Sequence, residues 1–330
     1  MSALAPLLEA FFLERLSRQR RASPNTIASY RDTFRLLLRF AEKEVRKKPS
    51  DLLLPDLKAP MITAFLDSVE TERNNSPRSR NARLAAIRAF FHYAATEAPE
   101  HSALIQRALA IPQKRFDRKT VQFLTQQETD ALLAAPDTSC WIGRRDHALL
   151  LLAEQTGLRV SEITRLRRAD VELEGLGTHV CCMGKGRKER ATPLRKETVA
   201  VLRAWLREQP GQPTDPLFPS QRGGFMSRDA VEKRVHHHTS KAAACCPSLA
   251  KKRVSPHVLR HTRAVRMLEA GIDSAVIALW LGHESVETTH VYLAADLAAK
   301  ERALAKTAPS VAAVRRYRPP DRLLAFLSGL

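Results

Sequence analysis

Apolar residues recur at steps of three and four through the first third of the chain. Leu7, Leu8, Phe11 and Phe12 form one stripe, and after Ser23-Pro24-Asn25 a second runs through Ile27, Tyr30, Phe34, Leu37, Leu38 and Phe40. Met61, Phe65, Leu66 and Val69 form a third, and Leu84, Ile87, Phe90, Phe91 and Tyr93 a fourth. This is the helical period, and it predicts a four-helix unit over residues 1–110. The polar, cationic stretch Ile111 to Thr120, with Pro112 near its start, reads as a linker. Thr125-Gln126-Gln127-Glu128 has the spacing of a capping box and opens a short helix to Ala135. A longer apolar helix covers His147 to Thr156, Gly157 breaks it, and Leu158 to Leu166 begins another.

The pattern then changes. Thr178 to Met183 is β-branched and apolar, Gly184-Lys185-Gly186-Arg187 is a turn, and Lys188 to Leu194 returns, which predicts a hairpin paired with a strand near Val171 to Leu173. Helices resume at Thr198 to Arg207 and after Ser227, with a Gly- and Pro-dense loop from Pro210 to Phe225 between them. Ser255 is a suitable N-cap, and Pro256 fits the first helical position, where a missing N–H costs nothing. Gly282 can end one helix and Ser285 can cap the next. Ala294 to Thr307 reads as an Ala-rich helix, and Asp321 to Leu330 as a small terminal helix that docks on an apolar surface. The expected fold is mainly α with a small antiparallel β-sheet: a helical domain over 1–110, a linker over 111–120, and a mixed α/β domain with a C-terminal tail over 121–330.

The chain carries a net charge of +19, so its expected partner is a polyanion, nucleic acid first. Asn74 to Asn81 places polar donors, with Arg78 and Arg80, at a helix start and reads as a clamp on a phosphate backbone. Lys114 and Arg115 in the linker, and Arg187 in the hairpin turn, are further candidate DNA contacts. The five cysteines form no C-x-x-C, which argues against a disulfide framework or a zinc site and for the cytoplasm. Leu4 to Leu16 is interrupted by Glu9 and Glu14 and does not read as a signal peptide, and no apolar run is long enough to span a membrane. His236-His237-His238 reads as a fortuitous or DNA-facing cluster, because adjacent helical residues diverge by about 100°. No metal is expected.

The candidate chemistry lies near the C-terminus. His257 and Arg260 are three apart in a first helical turn, where an anion is welcome. Arg159 and Glu162 have the same spacing, which taken alone is a surface pair worth roughly a few tenths of a kcal/mol. Of the four tyrosines, Tyr30 and Tyr93 fall on apolar stripes, Tyr317 sits in a basic Pro-flanked tail, and Tyr292 follows His283 by nine positions. Gly157-Leu158-Arg159-Val160-Ser161-Glu162, Gly184 to Arg190, His257-Val258-Leu259-Arg260-His261, Leu281-Gly282-His283 and Tyr292 resemble, in order and spacing, the tyrosine recombinase (phage integrase) family, in its Xer and integron-integrase-like branch. The resemblance covers about 121 to 300. Less specifically, the Tyr30 and Arg78 to Tyr93 regions resemble the family's N-terminal core-binding domain.

The resemblance implies a site-specific DNA recombinase. Arg159 and Arg260 would grip the scissile phosphate, Tyr292 would attack it, and His257 would serve as base. Lys185 would be the general acid, His283 would hydrogen-bond the phosphate, and Glu162 would support Arg159. His261 reads as structural. No cofactor is implied. The partners implied are double-stranded DNA sites, bound by a homotetramer that exchanges strands through a Holliday junction in the cytoplasm, at the nucleoid. The nearest alternative is type IB topoisomerase-like relaxation. A histidine-metal nuclease and a non-catalytic DNA-binding protein are more distant ones.

Overall fold

The computed structural model describes residues 3–117, 121–175, 177–184, 189–208, 210–283 and 288–289. The chain divides into two compact units, Met1–Arg118 and Lys119–Leu330.

In the first unit, α1 (Leu4–Ala10) runs on as π-helical turns over Phe11–Gln19. It is followed by α2 (Pro24–Val45), α3 (Ala59–Thr71), α4 (Pro77–Glu97) and α5 (Ser102–Leu109). Ser23 and Ser76 each cap the helix they precede, accepting from the backbone N–H three residues on, and a proline follows each cap. The stripes meet as expected. Phe11, Phe34 and Phe90 pack edge to face at centroid separations of 5.3 to 6.3 Å, and Tyr30 and Tyr93 lie against the same core. The four-helix expectation is one short. α5 contributes Ile105 and Ala108 to this core, but at eight residues its stripe is too brief to stand out in the pattern.

The second unit contains α6 (Gln126–Ala134), α7 (Trp141–Thr156) and the short α8 (Val160–Ile163). A three-stranded antiparallel sheet follows, ordered β1 (Val171–Glu172), β2 (His179–Met183), β3 (Glu189–Pro193). Then come α9 (Lys196–Glu208), α10 (Arg228–Ala242), α11 (Pro256–Glu269) and α12 (Ser274–Leu281). β2 and β3 pair from His179↔Pro193 to Met183↔Glu189. Their inward face carries Val180, Cys182, Arg190 and Thr192 by the two-residue alternation of strands. A core of Leu149, Leu152, Leu166, Val180, Leu202, Trp205 and Leu259 joins α7 to the sheet, α9 and α11. A smaller cluster of Val265, Leu268, Ile277 and Leu281 seats α12 on α11.

The histidine run on α10 is split: His236 and His237 are exposed. His238 is buried, its Nε2 2.8 Å from Asp146 Oδ2. The same carboxylate accepts from Arg145 and Arg234, so a buried negative charge is matched by cations from two helices. The expected helices over 294–307 and 321–330 lie outside the described residues. No helix among the described residues is long and apolar enough to cross a membrane.

Candidate active site

Two helices end at the site, and each ends on a left-handed glycine. Gly157 (φ 63°) closes α7 and Gly282 (φ 65°) closes α12. A helix leaves its last carbonyls without intrahelical partners and carries partial negative charge there. Guanidinium groups take up both ends. Arg260, only 2 % exposed and one turn into α11, donates from Nη1 to Gly157 O at 2.7 Å and from Nη2 to Leu281 O at 2.7 Å. Arg159, just before α8, donates from Nη2 to Gly282 O at 2.9 Å. Arg190 on β3 donates from Nη1 to Leu281 O at 2.6 Å. Three guanidiniums from three elements therefore converge on two consecutive carbonyls.

Glu162 lies among them, 5 % exposed. Its Oε2 accepts from the Arg159 backbone N–H at 2.7 Å, closing the N-terminus of α8, and from Arg190 Nη2 at 3.1 Å; its Oε1 accepts from Arg159 Nη1 at 2.8 Å. The i,i+3 spacing taken alone gives a surface pair. The carboxylate is instead buried, because Arg190 closes over it from the sheet. It thus holds Arg159 by both backbone and side chain.

The histidines flank this cluster. Ser255 caps α11 by accepting from the Val258 N–H, and Pro256 occupies the first turn, as expected. His257 is exposed at that end, its ring 4.1 Å from that of His261, one turn on. Burial, then the charges of His257 and Arg260, pushes His261 down to about 4. His283, one residue past Gly282, hydrogen-bonds through Nδ1 to Thr289 Oγ1 at 2.9 Å. Burial, then the charges of Arg260, Arg159 and Arg190, pushes it too down to about 4. His283 is therefore a neutral imidazole at pH 7, beside fixed positive charge.

The structure thus brings together Arg159, Glu162, Arg260, His257 and His283. Lys185, Arg187 and Tyr292 lie outside the described residues. Sequence reasoning passed over Arg190, although its register opposite Cys182 turns it inward. Among the described residues, no group of three or more His, Cys, Asp or Glu is placed to hold a metal. Chemically, a pocket of clustered guanidiniums with a neutral imidazole beside it suits a phosphodiester, whose oxygens match the guanidinium fork.

In the first unit the candidate clamp is corrected at one position. Arg80 is 4 % exposed, its Nε 3.4 Å from Glu70, so its guanidinium is not offered to a phosphate. It sits four residues before Leu84 and seven before Ile87, on the buried side of α4. Lys114 joins the same carboxylate, with Nζ 2.5 Å from Glu70, and Asn81 brackets the Lys114 backbone. Arg78 and Arg115 are exposed.

Residues 122–298 match the phage integrase family, and residues 10–98 match the phage integrase N-terminal SAM-like domain. The chain is 60 % identical over 329 residues to the putative integrase/recombinase y4rC of Sinorhizobium fredii, covering 100 % of this chain and 99 % of that one. It is 33 % identical over 292 residues to the tyrosine recombinase XerD of Pseudomonas putida, covering 87 % and 92 %. Its fold matches that of the XerH site-specific recombinase, solved bound to palindromic difH substrate in a post-cleavage complex. The TM-score is 0.69 at 24 % identity, over 87 % of this chain and 81 % of that one. With both family matches together spanning most of its length, and relatives of this closeness, the chain belongs to the phage integrase family of tyrosine recombinases, enzymes that cut and rejoin DNA.

Proposed function

We propose that this protein recombines duplex DNA at specific sites, with Tyr292 as nucleophile and Arg159 and Arg260 as the grip on the scissile phosphate. The observation that carries the reading is the convergence of Arg159 and Arg260 on adjacent carbonyls, with Glu162 buried beneath Arg159. Attack builds negative charge on a pentacovalent phosphorus, and preorganised guanidiniums stabilise it without reorganising. A phenol with a pKa of about 10 needs a partner to take its proton, and His257 is that base. Lys185 protonates the departing 5′ oxygen. His283, held neutral, hydrogen-bonds the phosphate without adding charge. The 3′-phosphotyrosine keeps the energy of the broken linkage, so rejoining requires no nucleotide and no metal.

The finer assignments follow from this reading. Four protomers act on two DNA sites and pass through a Holliday junction, and residues 321–330 dock on a neighbouring protomer. The first unit contributes backbone contacts through Arg78 and Arg115, with Arg187 contributing from the second. Lys114 is a weaker contact, since Glu70 already holds its amine. The protein works in the cytoplasm, at the nucleoid.

The test starts from duplexes recovered by binding from a random-sequence pool, nicked near the cleaved position so that rejoining is blocked. Wild-type protein is expected to trap covalently, with the nucleotide mapped to Tyr292. Tyr292→Phe is expected to trap nothing, and Arg159→Ala or Arg260→Ala to slow trapping by about 100-fold or more. Cleavage without an adduct on residue 292, or full activity of Tyr292→Phe, overturns the proposal.

A further inference from the structure

We propose that Arg190 is a positioning residue that locks the two phosphate-gripping arginines to one another. The inference rests on the roles proposed above for Arg159 and Arg260. Arg190 shares an acceptor with each of them. Glu162 Oε2 accepts from Arg190 Nη2 at 3.1 Å while Oε1 accepts from Arg159. Leu281 O accepts from Arg190 Nη1 at 2.6 Å and from Arg260 Nη2 at 2.7 Å. One planar fork therefore spans the carboxylate that orients the first grip and the carbonyl that orients the second. Its side chain is 10 % exposed, so both contacts are made largely out of water.

The turn after α12 is shaped around this guanidinium. A Cβ built on Gly282 falls 2.0 Å from Arg190 Nη1 and 3.2 Å from its Cζ. The glycine of Leu281-Gly282-His283 suits its left-handed backbone, and any side chain there would have to push the Arg190 guanidinium out of its place. Lysine cannot replace this function, since a single ammonium does not reach two acceptors in the geometry of a fork. Arg190 is also one of the charges that hold His283 neutral.

The roles separate in four variants of the full chain: Arg190→Lys, Arg190→Gln, Gly282→Ala, and Gly282→Ala combined with Arg190→Ala. The urea midpoint of each is followed by tryptophan fluorescence. Single-turnover trapping is measured at saturating concentrations of the selected nicked duplex, and duplex affinity separately. Misplacing a gripping group by about an ångström costs about 100-fold in rate, so Arg190→Lys, Arg190→Gln and Gly282→Ala are each expected to trap about 100-fold more slowly while binding duplex as wild type does. The combined variant is expected to be no slower than Gly282→Ala, because the collision and the lock are lost together. His283, titrated by NMR in the absence of DNA, is expected to have a higher pKa in Arg190→Gln than in wild type. Wild-type trapping rates in Arg190→Gln, losses that multiply in the combined variant, or an unmoved His283 titration each overturn the inference. Failure of the wild-type protein to form an adduct at Tyr292 strikes the catalytic reading instead, and the His283 titration then still decides whether Arg190 faces the site.

Discussion

Replacing Glu162 by Gln keeps the shape of the side chain and removes its charge. The carboxylate accepts three hydrogen bonds from two arginines, at 2.7, 2.8 and 3.1 Å. An amide has one accepting oxygen and presents N–H donors to guanidinium donors, so at least one of these contacts becomes donor against donor. Removing one partner of a buried ion pair costs about 3–5 kcal/mol. Two features place Glu162→Gln at the lower end. The Arg159 side chain is 31 % exposed, so water screens part of that contact, and both arginines keep a helix-end carbonyl, Gly282 O and Leu281 O. About 3 kcal/mol is therefore expected. The assay needs no dissection of the chain, because all three tryptophans, Trp141, Trp205 and Trp280, belong to the second unit and report its unfolding alone. With a urea slope of up to about 3 kcal/mol per M for a unit of this size, the fluorescence midpoint should fall by about 1 M. A midpoint within about 0.2 M of wild type, on a scale where 1 M corresponds to that loss, would mean that the carboxylate does not hold the arginines, and the geometric case for the site would fail with it.

Asp146→Asn is expected to cost more stability, about 3–5 kcal/mol in the same assay, while leaving duplex affinity unchanged. Asp146 is 1 % exposed and serves Arg145, Arg234 and His238 at once. Burial opposes its charge, but hydrogen bonds from His238 and Arg145 and the charge of Arg145 more than offset this, holding its carboxyl below the ordinary range. Its contribution is therefore present at neutral pH and lost only as pH falls through the carboxylate range. The histidines give a separate window. His261 and His283 are pushed from about 6.5 down to about 4, so the unfolded chain takes up protons in that interval that the folded unit refuses. The urea midpoint should decline as pH falls from about 6.5 to about 4, and His283→Asn should flatten the slope. A midpoint constant from pH 7 to 5 contradicts the burial of both rings.

How much of this was legible in the sequence depended on whether the deciding contact was local. The caps at Ser23, Ser76, Thr125 and Ser255, the hairpin, and the helix stops at Gly157 and Gly282 were all readable, because each rests on a partner within a few residues. Arg80 was readable in principle, since its spacing to Leu84 and Ile87 puts it on the buried stripe. Net charge drew attention to its surface chemistry instead. Glu162 was read, taken alone, as a surface pair because its burial comes from Arg190, 28 positions away. The partners of Leu281 O come from positions 21 and 91 residues distant, and no local period contains that information. The two glycines show the same division. Their left-handed backbone was legible as helix termination. The second reason for them was not: Leu281 Cδ2 stands 2.7 Å from a Cβ on Gly157, and Arg190 stands closer still to one on Gly282. The ends of α7 and α12 are thus both tied to the arginines by dipole, and the end of α12 by steric fit as well. A substitution at Gly282 should therefore displace the Arg190 guanidinium, and one at Gly157 the Leu281 side chain, each in addition to straining a left-handed backbone.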